Sequence, residues 1–294
     1  LVGLVLAGAC AKRVRLPIPE SEDYLFPPAA PGELSGREAS ELRRAWREVM
    51  AGAAHAARRR VQKLRRRGAG RPSVETVRAY AELRAGRSEE AARVFAAVLA
   101  SSPVFVPALV GAGSTAAQAG DLDAALEYYK RAAAVPQSDP LVRKRVAMLK
   151  LRATERHMGR AEVAVAAGDL AAAIEEYRLA LAAAPEVTGI RLDLAELLRR
   201  AGDTSAAVSV LVADPGGERP VKLRLAEVLV ESSQFDRALD VYRELLAGDP
   251  ADQAARAGEA VARERLEASL MPEEYRQIPS AGQLTRADLA ALLL

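Results

Sequence analysis

Aromatic residues, cysteines and histidines are scarce in this chain of 294 residues, and each shortage excludes something. Aromatic residues make up only 4% of the sequence, which argues against a large β-sheet, because sheets favour aromatic and β-branched side chains. The single cysteine, Cys10, cannot form a disulfide within the chain. The two histidines, His55 and His157, are too few and too far apart to build a zinc site, and neither has an evident acid–base partner. We therefore expect no metal site and no catalytic centre.

Alanine and charge are abundant instead. Hydrophobic residues form 50% of the chain, and much of this share is alanine, the strongest helix former. No apolar run reaches the ~18 residues that a membrane-spanning helix needs. The net charge of +3 is too small to define a class of partner. The composition predicts an all-α protein.

An apolar run, LVGLVLAGA over residues 1–9, ends at Cys10. Its length is that of the apolar core of a secretory signal, and we expect the sequence to start inside such a signal. The segment LAGAC resembles a bacterial lipoprotein signal, although Ala7 stands where that family prefers leucine. The resemblance implies a lipid on Cys10, and Ala11 at the next position implies the outer membrane. The alternative is that Cys10 is a small buried core residue.

Five prolines lie between Pro17 and Pro31, in the stretch KRVRLPIPESEDYLFPPAAPGELSG. Prolines at this density favour an extended, polyproline-like backbone. We therefore predict that residues 10–36 form a proline-rich tether with no packed core of its own.

Residues 37–67 predict one amphipathic helix with a densely basic second half. Its apolar residues recur at steps of three and four: Leu42, Trp46, Val49, Ala53, Ala57, Val61 and Leu64. Three interpretations are open: the helix caps the next domain with a solvated basic face, it lies on anionic lipid, or it binds nucleic acid. The last is the least favoured because no aromatic residues are interleaved with the arginines, and we expect no nucleic-acid partner.

A repeated pattern organises most of the remaining chain: a turn, a polar residue, an alanine, an aromatic residue or leucine four places later, and a closing proline. The glycines at the turns are Gly86, Gly120, Gly168 and Gly202. The alanines, which suit a close helix crossing, are Ala91, Ala125, Ala173, Ala207 and Ala238. The residues expected to fill the space between helices are Phe95, Tyr129, Tyr177, Leu211 and Tyr242. The pattern predicts helical hairpins that turn at glycine and stop at proline.

This pattern resembles the tetratricopeptide repeat, a helix–turn–helix unit of 34 residues. Gly86 and Gly120 are 34 residues apart. The interval from Gly120 to Gly168 is 14 residues longer, about four helical turns, which predicts an extended first helix over residues 140–167. The resemblance implies an all-α, right-handed superhelical solenoid of about five hairpins over residues 72–270.

The resemblance also places a partner-binding surface on the first helix of each repeat. Its predicted lining is three glutamates at equivalent positions of consecutive repeats, two flanking arginines, a further glutamate and an apolar residue: Glu162, Glu196, Glu227, Arg199, Arg200, Glu231 and Met158. The three glutamates predict an acidic row, for which a basic or extended segment of another protein is the expected partner. The alternative is that these are ordinary solvated charges, each worth little.

The letters GAGSTA over residues 111–116 fit a dinucleotide-binding loop. That motif needs a strand before it and a helix after it, whereas here it falls inside the first helix of a repeat. Gly113 is expected at the small position against the neighbouring helix. We therefore predict no cofactor.

The array breaks after the last repeat, at Pro272 and Pro279. The letters QLTRADLAALLL that follow resemble the closing part of a surface-layer homology module. The resemblance implies binding of cell-wall or envelope polymers by residues 271–294, and we expect the module to be cut short at Leu294. The alternative is a plain helix that caps the repeats.

Together these features predict a non-catalytic scaffold or assembly factor, exported to the bacterial cell envelope as an outer-membrane lipoprotein that faces the periplasm. Its expected partners are other proteins, and the membrane through the lipid on Cys10. The alternative function is a structural envelope anchor, which binds a wall polymer through residues 271–294 and uses the repeats as a spacer.

Overall fold

The computed structural model of the protein describes residues 23–136 and 138–271. These residues form thirteen α-helices, and the predicted all-α fold of helical hairpins is confirmed. Contacts divide the chain into a first unit that ends at Arg152 and a second that begins at Ala153. The predicted signal, Cys10 and nearly all of the surface-layer-like segment lie outside the described residues.

The first unit is a succession of helical hairpins, and among its first six helices each packs against the next along the chain. Its helices are α1 (Gly36–Met50), α2 (Ala54–Arg65), α3 (Pro72–Arg84), α4 (Ser88–Ser101), α5 (Val106–Gln118), α6 (Leu122–Ala133) and the first half of α7 (Pro140–Ala166). The first helices α3 and α5 also contact each other, as do α1 and α3.

The second unit continues the same arrangement. After the end of α7, its helices are α8 (Leu170–Ala183), α9 (Thr188–Arg200), α10 (Thr204–Val212), α11 (Arg219–Glu231), α12 (Phe235–Gly248) and α13 (Gln253–Leu270). The first helices α9, α11 and α13 contact one another in sequence, which places one side of each on a shared face.

Each predicted hairpin turns on a residue with φ between +59° and +82°: Gly86, Gly120, Gly168, Gly202 and Ser233. Glycine suits this region, whereas the side chain of Ser233 is strained there. In three hairpins an aspartate follows the glycine and accepts a hydrogen bond from the first turn of the second helix: Asp121, Asp169 and Asp203. The Gly-Asp pair therefore ends one helix and begins the next.

The repeat alanines and the larger residues beside them form the cores. All five alanines are fully buried: Ala91, Ala125, Ala173, Ala207 and Ala238. The five larger residues are buried as well: Phe95, Tyr129, Tyr177, Leu211 and Tyr242. A methyl group at each crossing lets the two helices of a hairpin approach closely, and the larger side chain fills the space that remains.

The prediction of a single helix over residues 37–67 is wrong. The helix α1 ends at Met50 and α2 begins at Ala54, and Gly52 lies between them with φ +77°. The apolar period appeared continuous because Ala53 fits it, but Ala53 is exposed in the turn. The two helices instead form one more hairpin, which packs on α3 through buried residues that include Trp46 and Leu64.

The prediction that residues 10–36 form a tether without a packed core is wrong for its described part. From residue 23 onward the chain has no helix until α1, but Tyr24 and Leu25 are only 8% and 5% exposed. The prolines keep this stretch extended, and its apolar side chains are buried against the first unit because burial removes them from water.

Asp252 begins α13 and joins it to α11. Its carboxylate accepts hydrogen bonds from Arg219 at 2.7 and 2.8 Å and from the backbone N–H groups of Ala254 and Ala255 at 3.1 Å. The Arg219 hydrogen bonds, helped by those backbone donors, lower the pKa of Asp252 from 3.8 to about 2.

We expect Asp252→Asn to flatten the acid dependence of stability. A carboxylate with a depressed folded pKa stabilises the fold above its unfolded pKa, and this contribution is lost as the pH falls through the folded pKa. For Asp252 the window runs from about pH 4 down to about pH 2. Thermal melting followed by circular dichroism should show a lower midpoint for the variant at pH 7 and a shallower fall below pH 4. Asp240→Asn, which changes an exposed aspartate of α12, is the control; an equally steep fall in Asp252→Asn would contradict the assignment.

Candidate protein-binding surfaces

Residues 23–27, Asp-Tyr-Leu-Phe-Pro, form a docked segment that lies across the helices of the first unit. Its first residue is held by two donors. The Asp23 carboxylate accepts a hydrogen bond from the Tyr129 hydroxyl at 3.0 Å and lies 2.9 Å from Nη2 of Arg145. Burial raises the pKa of Tyr129, so its hydroxyl remains a donor. The surface therefore recognises a carboxylate at this end.

The ring of Tyr24 lies between an aromatic ring and a guanidinium group. Its centroid is 5.1 Å from that of Tyr80 on α3, and the guanidinium carbon of Arg84 lies 4.7 Å from the Tyr24 centroid. Burial raises the pKa of Tyr24, and the polar side chain of Gln118, at the end of α5, acts against this rise. Stacking, cation–π attraction and a polar contact at the ring's edge together select an aromatic side chain, and tyrosine in particular.

The next two residues are held by aromatic side chains of α1 and α3. The Leu25 N–H donates to the Tyr80 hydroxyl at 3.5 Å, and that hydroxyl donates to the Pro107 carbonyl at 2.8 Å. The Phe26 ring meets the Trp46 ring edge-on, with centroids 6.0 Å apart.

We name the receiving side chains the docking surface: Trp46, Tyr80, Arg84, Gln118, Tyr129 and Arg145. They come from α1, α3, α5, α6 and α7. Sequence reasoning missed this site because Asp23 and Tyr129 are 106 residues apart and only the folded hairpins bring them together. The one available signal was the cluster of apolar side chains, YLF, inside a proline-rich stretch.

The predicted acidic row lies in the second unit, where arginines neutralise much of it. Glu196 accepts hydrogen bonds from Arg199 at 2.8 and 2.9 Å, which lowers its pKa, and it lies 3.3 Å from Arg224. Arg224 also reaches Glu227 at 3.1 Å, while Arg199 lies 3.7 Å from Glu231. The surface is therefore a mixed network of charges, and Arg224, which the repeat pattern did not single out, connects α11 to α9.

The other predicted members are less closely involved. Glu162 on α7 and Arg200 on α9 are exposed, and neither takes part in an ion pair within the described part of the chain. Met158 is partly buried and packs against the core of the second unit, so it offers only part of its side chain to a partner.

Three arginines on the basic face of α2 form ion pairs within the first unit. Arg58, Arg60 and Arg65 lie 2.9, 2.7 and 2.7 Å from glutamates of neighbouring helices. The apolar stripe of α2, including Val61 and Leu64, is buried. A helix that binds lipid through an apolar face needs that face exposed, so the structure favours the capping interpretation.

A cleft of about 820 Å³ remains beside α2, between α2, α3 and α4. Eight cationic side chains line it: Arg58, Arg59, Lys63, Arg65, Arg66, Arg78, Arg87 and Arg93. Glu82 and Glu90 lie among them and pair with several, Glu82 with Arg58 and Arg87. The cleft is therefore basic, and its two glutamates neutralise part of this charge.

The sequence features that could suggest a reactive or cofactor site, His157 and the letters GAGSTA, lie in packed parts of the structure. His157 is 1% exposed and its Nδ1 lies against the Glu176 carboxylate, a partner that the sequence alone did not make evident. The letters GAGSTA lie inside α5, where a Cβ on Gly113 would come within 2.6 Å of the Tyr129 ring. Within residues 23–136 and 138–271, no three metal-ligating side chains cluster. No helix there has the length and apolarity to span a bilayer.

Several solved structures resemble this chain. The TPR2AB domain of yeast Sti1, in complex with pHSP90, is 14% identical with a TM-score of 0.35, covering 78% of this chain and 98% of that one. The TPR domain of P58(IPK) is 18% identical with a TM-score of 0.38, covering 88% and 73%. A thermophilic TPR protein of Thermus thermophilus is 18% identical with a TM-score of 0.31, covering 77% and 99%. No curated protein matches the chain.

Two family models match the sequence, and both describe the tetratricopeptide repeat. One matches residues 76–139 and 223–269. The other matches residues 164–216. Together these ranges span more than half of the chain, with the glycine turns and buried alanines in place, and the chain therefore belongs to the tetratricopeptide-repeat family.

Proposed function

We propose that this protein is a non-catalytic scaffold or assembly factor that binds segments of other proteins in the bacterial cell envelope. The observation that carries the binding role is the docked segment. Side chains from α1, α3, α5, α6 and α7 hold an extended peptide through a carboxylate, two aromatic rings and a backbone amide. A surface that holds one extended peptide in this way has the chemistry to hold another.

The second unit supports the same role with a different surface. The network around Glu196 and Arg199 is spread over α9 and α11, and its charges are half-exposed rather than buried. Mixed charges at such a site select partners of matching pattern and favour fast association, while contributing modestly to affinity. Stacked hairpins offer surfaces of this kind, and neither family model describes an enzyme.

The envelope location rests on residues 1–10, whose resemblance to a lipoprotein signal supports a lipid on Cys10. Intact mass of the protein extracted from bacterial membranes tests it. We expect a chain that starts at Cys10 and carries diacylglyceryl and acyl groups, whereas a Cys10→Ser variant should carry neither. An unmodified mass on protein that a high-salt wash releases from the membrane would contradict the anchor.

We expect charge reversal on the second unit to remove partners. Glu162→Lys combined with Arg200→Glu should lower the yield of proteins crosslinked to the chain in its own cells by about tenfold, because like charges placed together cost several kcal/mol. Both side chains are exposed, so the fold should survive. The matched control is Glu175→Lys on α8, whose side chain is 63% exposed.

A different result would contradict the scaffold function. Crosslinked proteins that are insensitive to the reversal, together with retention on purified wall material that requires residues 271–294, would reject the scaffold in favour of a structural wall anchor.

A further inference from the structure

The docked segment leaves one hydrogen-bond donor of the docking surface without an acceptor. Asp23 reaches Arg145 through Nη2, but Nε of Arg145 is buried and has no hydrogen-bond partner among the described residues. A carboxylate can accept from both nitrogens on one side of a guanidinium group. The site is therefore able to hold an acidic side chain more completely than Asp23 does.

Side-chain contacts hold Asp23, Tyr24 and Phe26 of the segment. One contact from its backbone to the surface is the Leu25 N–H, at 3.5 Å from the Tyr80 hydroxyl, which is longer than an ordinary hydrogen bond. The chain is fixed again beyond the segment, where the Glu33 carboxylate accepts from the Ser73 N–H at 3.0 Å and from its hydroxyl at 2.6 Å. Release of residues 23–27 thus leaves the connection to α1 in place.

We propose that the docking surface is a binding site for extended segments of partner proteins that carry an acidic residue, then tyrosine, then leucine and a second aromatic residue, and that residues 23–27 occupy it in cis as the competing ligand. The inference rests on the proposed protein-binding function and adds the sequence class of the partner. Arg145 and Tyr129 bind the carboxylate, Tyr80 and Arg84 contact the tyrosine ring, and Trp46 contacts the second aromatic residue.

Competition in cis has a measurable consequence. A segment joined by a short linker acts at an effective concentration on the order of millimolar. A partner segment whose intrinsic affinity equals that of residues 23–27 therefore binds weakly. It binds better if its acidic residue makes a more complete contact with Arg145, or if it is itself held near the docking surface. Weakening the cis segment should expose the intrinsic affinity of the surface.

The probe is a fluorescent peptide with the sequence of residues 19–30, PESEDYLFPPAA, measured by anisotropy against the full chain. Tyr24→Ala combined with Phe26→Ala should bind it at least about tenfold more tightly than wild type. Adding Arg145→Met should reverse this gain, and adding Arg93→Met, at an exposed arginine of α4, should leave it unchanged. A folded Tyr24→Ala/Phe26→Ala variant that binds the peptide no better than wild type, or that ignores Arg145→Met, would overturn the proposal.

A second measurement covers the case in which that variant does not fold. A protease site inserted between Pro31 and Gly32, both exposed, allows the link to be cut after folding. At nanomolar concentration we expect the cut fragment to dissociate, the helices to persist by circular dichroism, and added peptide to rebind. A fragment that stays bound, or helices that unfold when it leaves, would show that residues 23–27 are permanent core and would reject the proposal.

The two proposals fail separately. The peptide assay uses purified chain and reads out the first unit alone, so a negative result leaves crosslinking through the second unit untouched. Loss of all crosslinked partners, with the peptide assay positive, would reject the cellular function and leave the chemistry of the docking surface standing.

Discussion

Arg191→Met is expected to destabilise the second unit by about 3–5 kcal/mol, the range for breaking a buried ion pair from one side. The Arg191 side chain is 3% exposed and lies 3.3 Å from the Asp214 carboxylate, itself 8% exposed. It also donates to the carbonyls of Val210 at 2.8 Å and Pro185 at 2.9 Å. Methionine fills a similar volume but leaves a buried carboxylate without its countercharge and two carbonyls without their donor.

The size of this effect reflects where Arg191 lies. The carbonyl of Val210 belongs to the last turn of α10, which is only nine residues long and ends in the shortened ADPGG turn. A cation there compensates the unpaired carbonyls at the helix end. One side chain of α9 thus contacts the end of α10, the turn that follows it and the loop before α9.

Urea unfolding followed by circular dichroism measures the change. Asp214→Asn should cost less, because Arg191 keeps both carbonyls and asparagine still accepts from the Glu218 N–H. Arg200→Met, which removes an exposed arginine of the same helix, should stay within about 0.5 kcal/mol of wild type. If the free energy of unfolding of Arg191→Met remained within about 1 kcal/mol of wild type, the contacts of Arg191 would not be important for stability.

Gly111→Ala is expected to destabilise the first unit by about 1–3 kcal/mol, although alanine is the better helix former. A Cβ at Gly111 would lie 2.2 Å from the Phe95 ring, well inside contact distance. The ring has little room to move, because it is fully buried and its centroid lies 5.1 Å from that of Tyr80. The added methyl group must therefore separate α5 from α4.

Two controls separate this clash from helix propensity. Gly159 in α7 has open space around its Cβ position, so Gly159→Ala should stabilise the protein by about 0.4–1 kcal/mol. Phe95→Leu should cost stability alone but relieve the clash, so the double variant Gly111→Ala/Phe95→Leu should be more stable than the sum of the two changes. Additive losses in this cycle would show that Phe95 is not what Gly111 accommodates.

The hairpins could be predicted from local features of the chain. Turn glycines, small residues at helix crossings and a 3.6-residue apolar period are local features, because each depends on backbone conformation or on neighbours within one or two helical turns. They were sufficient to predict the repeat, the position of Gly113 in a close crossing and a long helix before Gly168. The same locality produced the error at Gly52, since a short turn flanked by alanines preserves the apolar period across it.

Which distant side chains meet depends on how the helices pack. Three sets of contacts join different elements: Asp23 with Tyr129 and Arg145, Arg191 with Asp214, and His157 with Glu176. Such contacts depend on how far each helix is rotated and shifted against the next, and a periodic pattern does not specify either quantity. The hairpins follow from the chain's local chemistry, whereas the candidate binding surfaces follow from their packing.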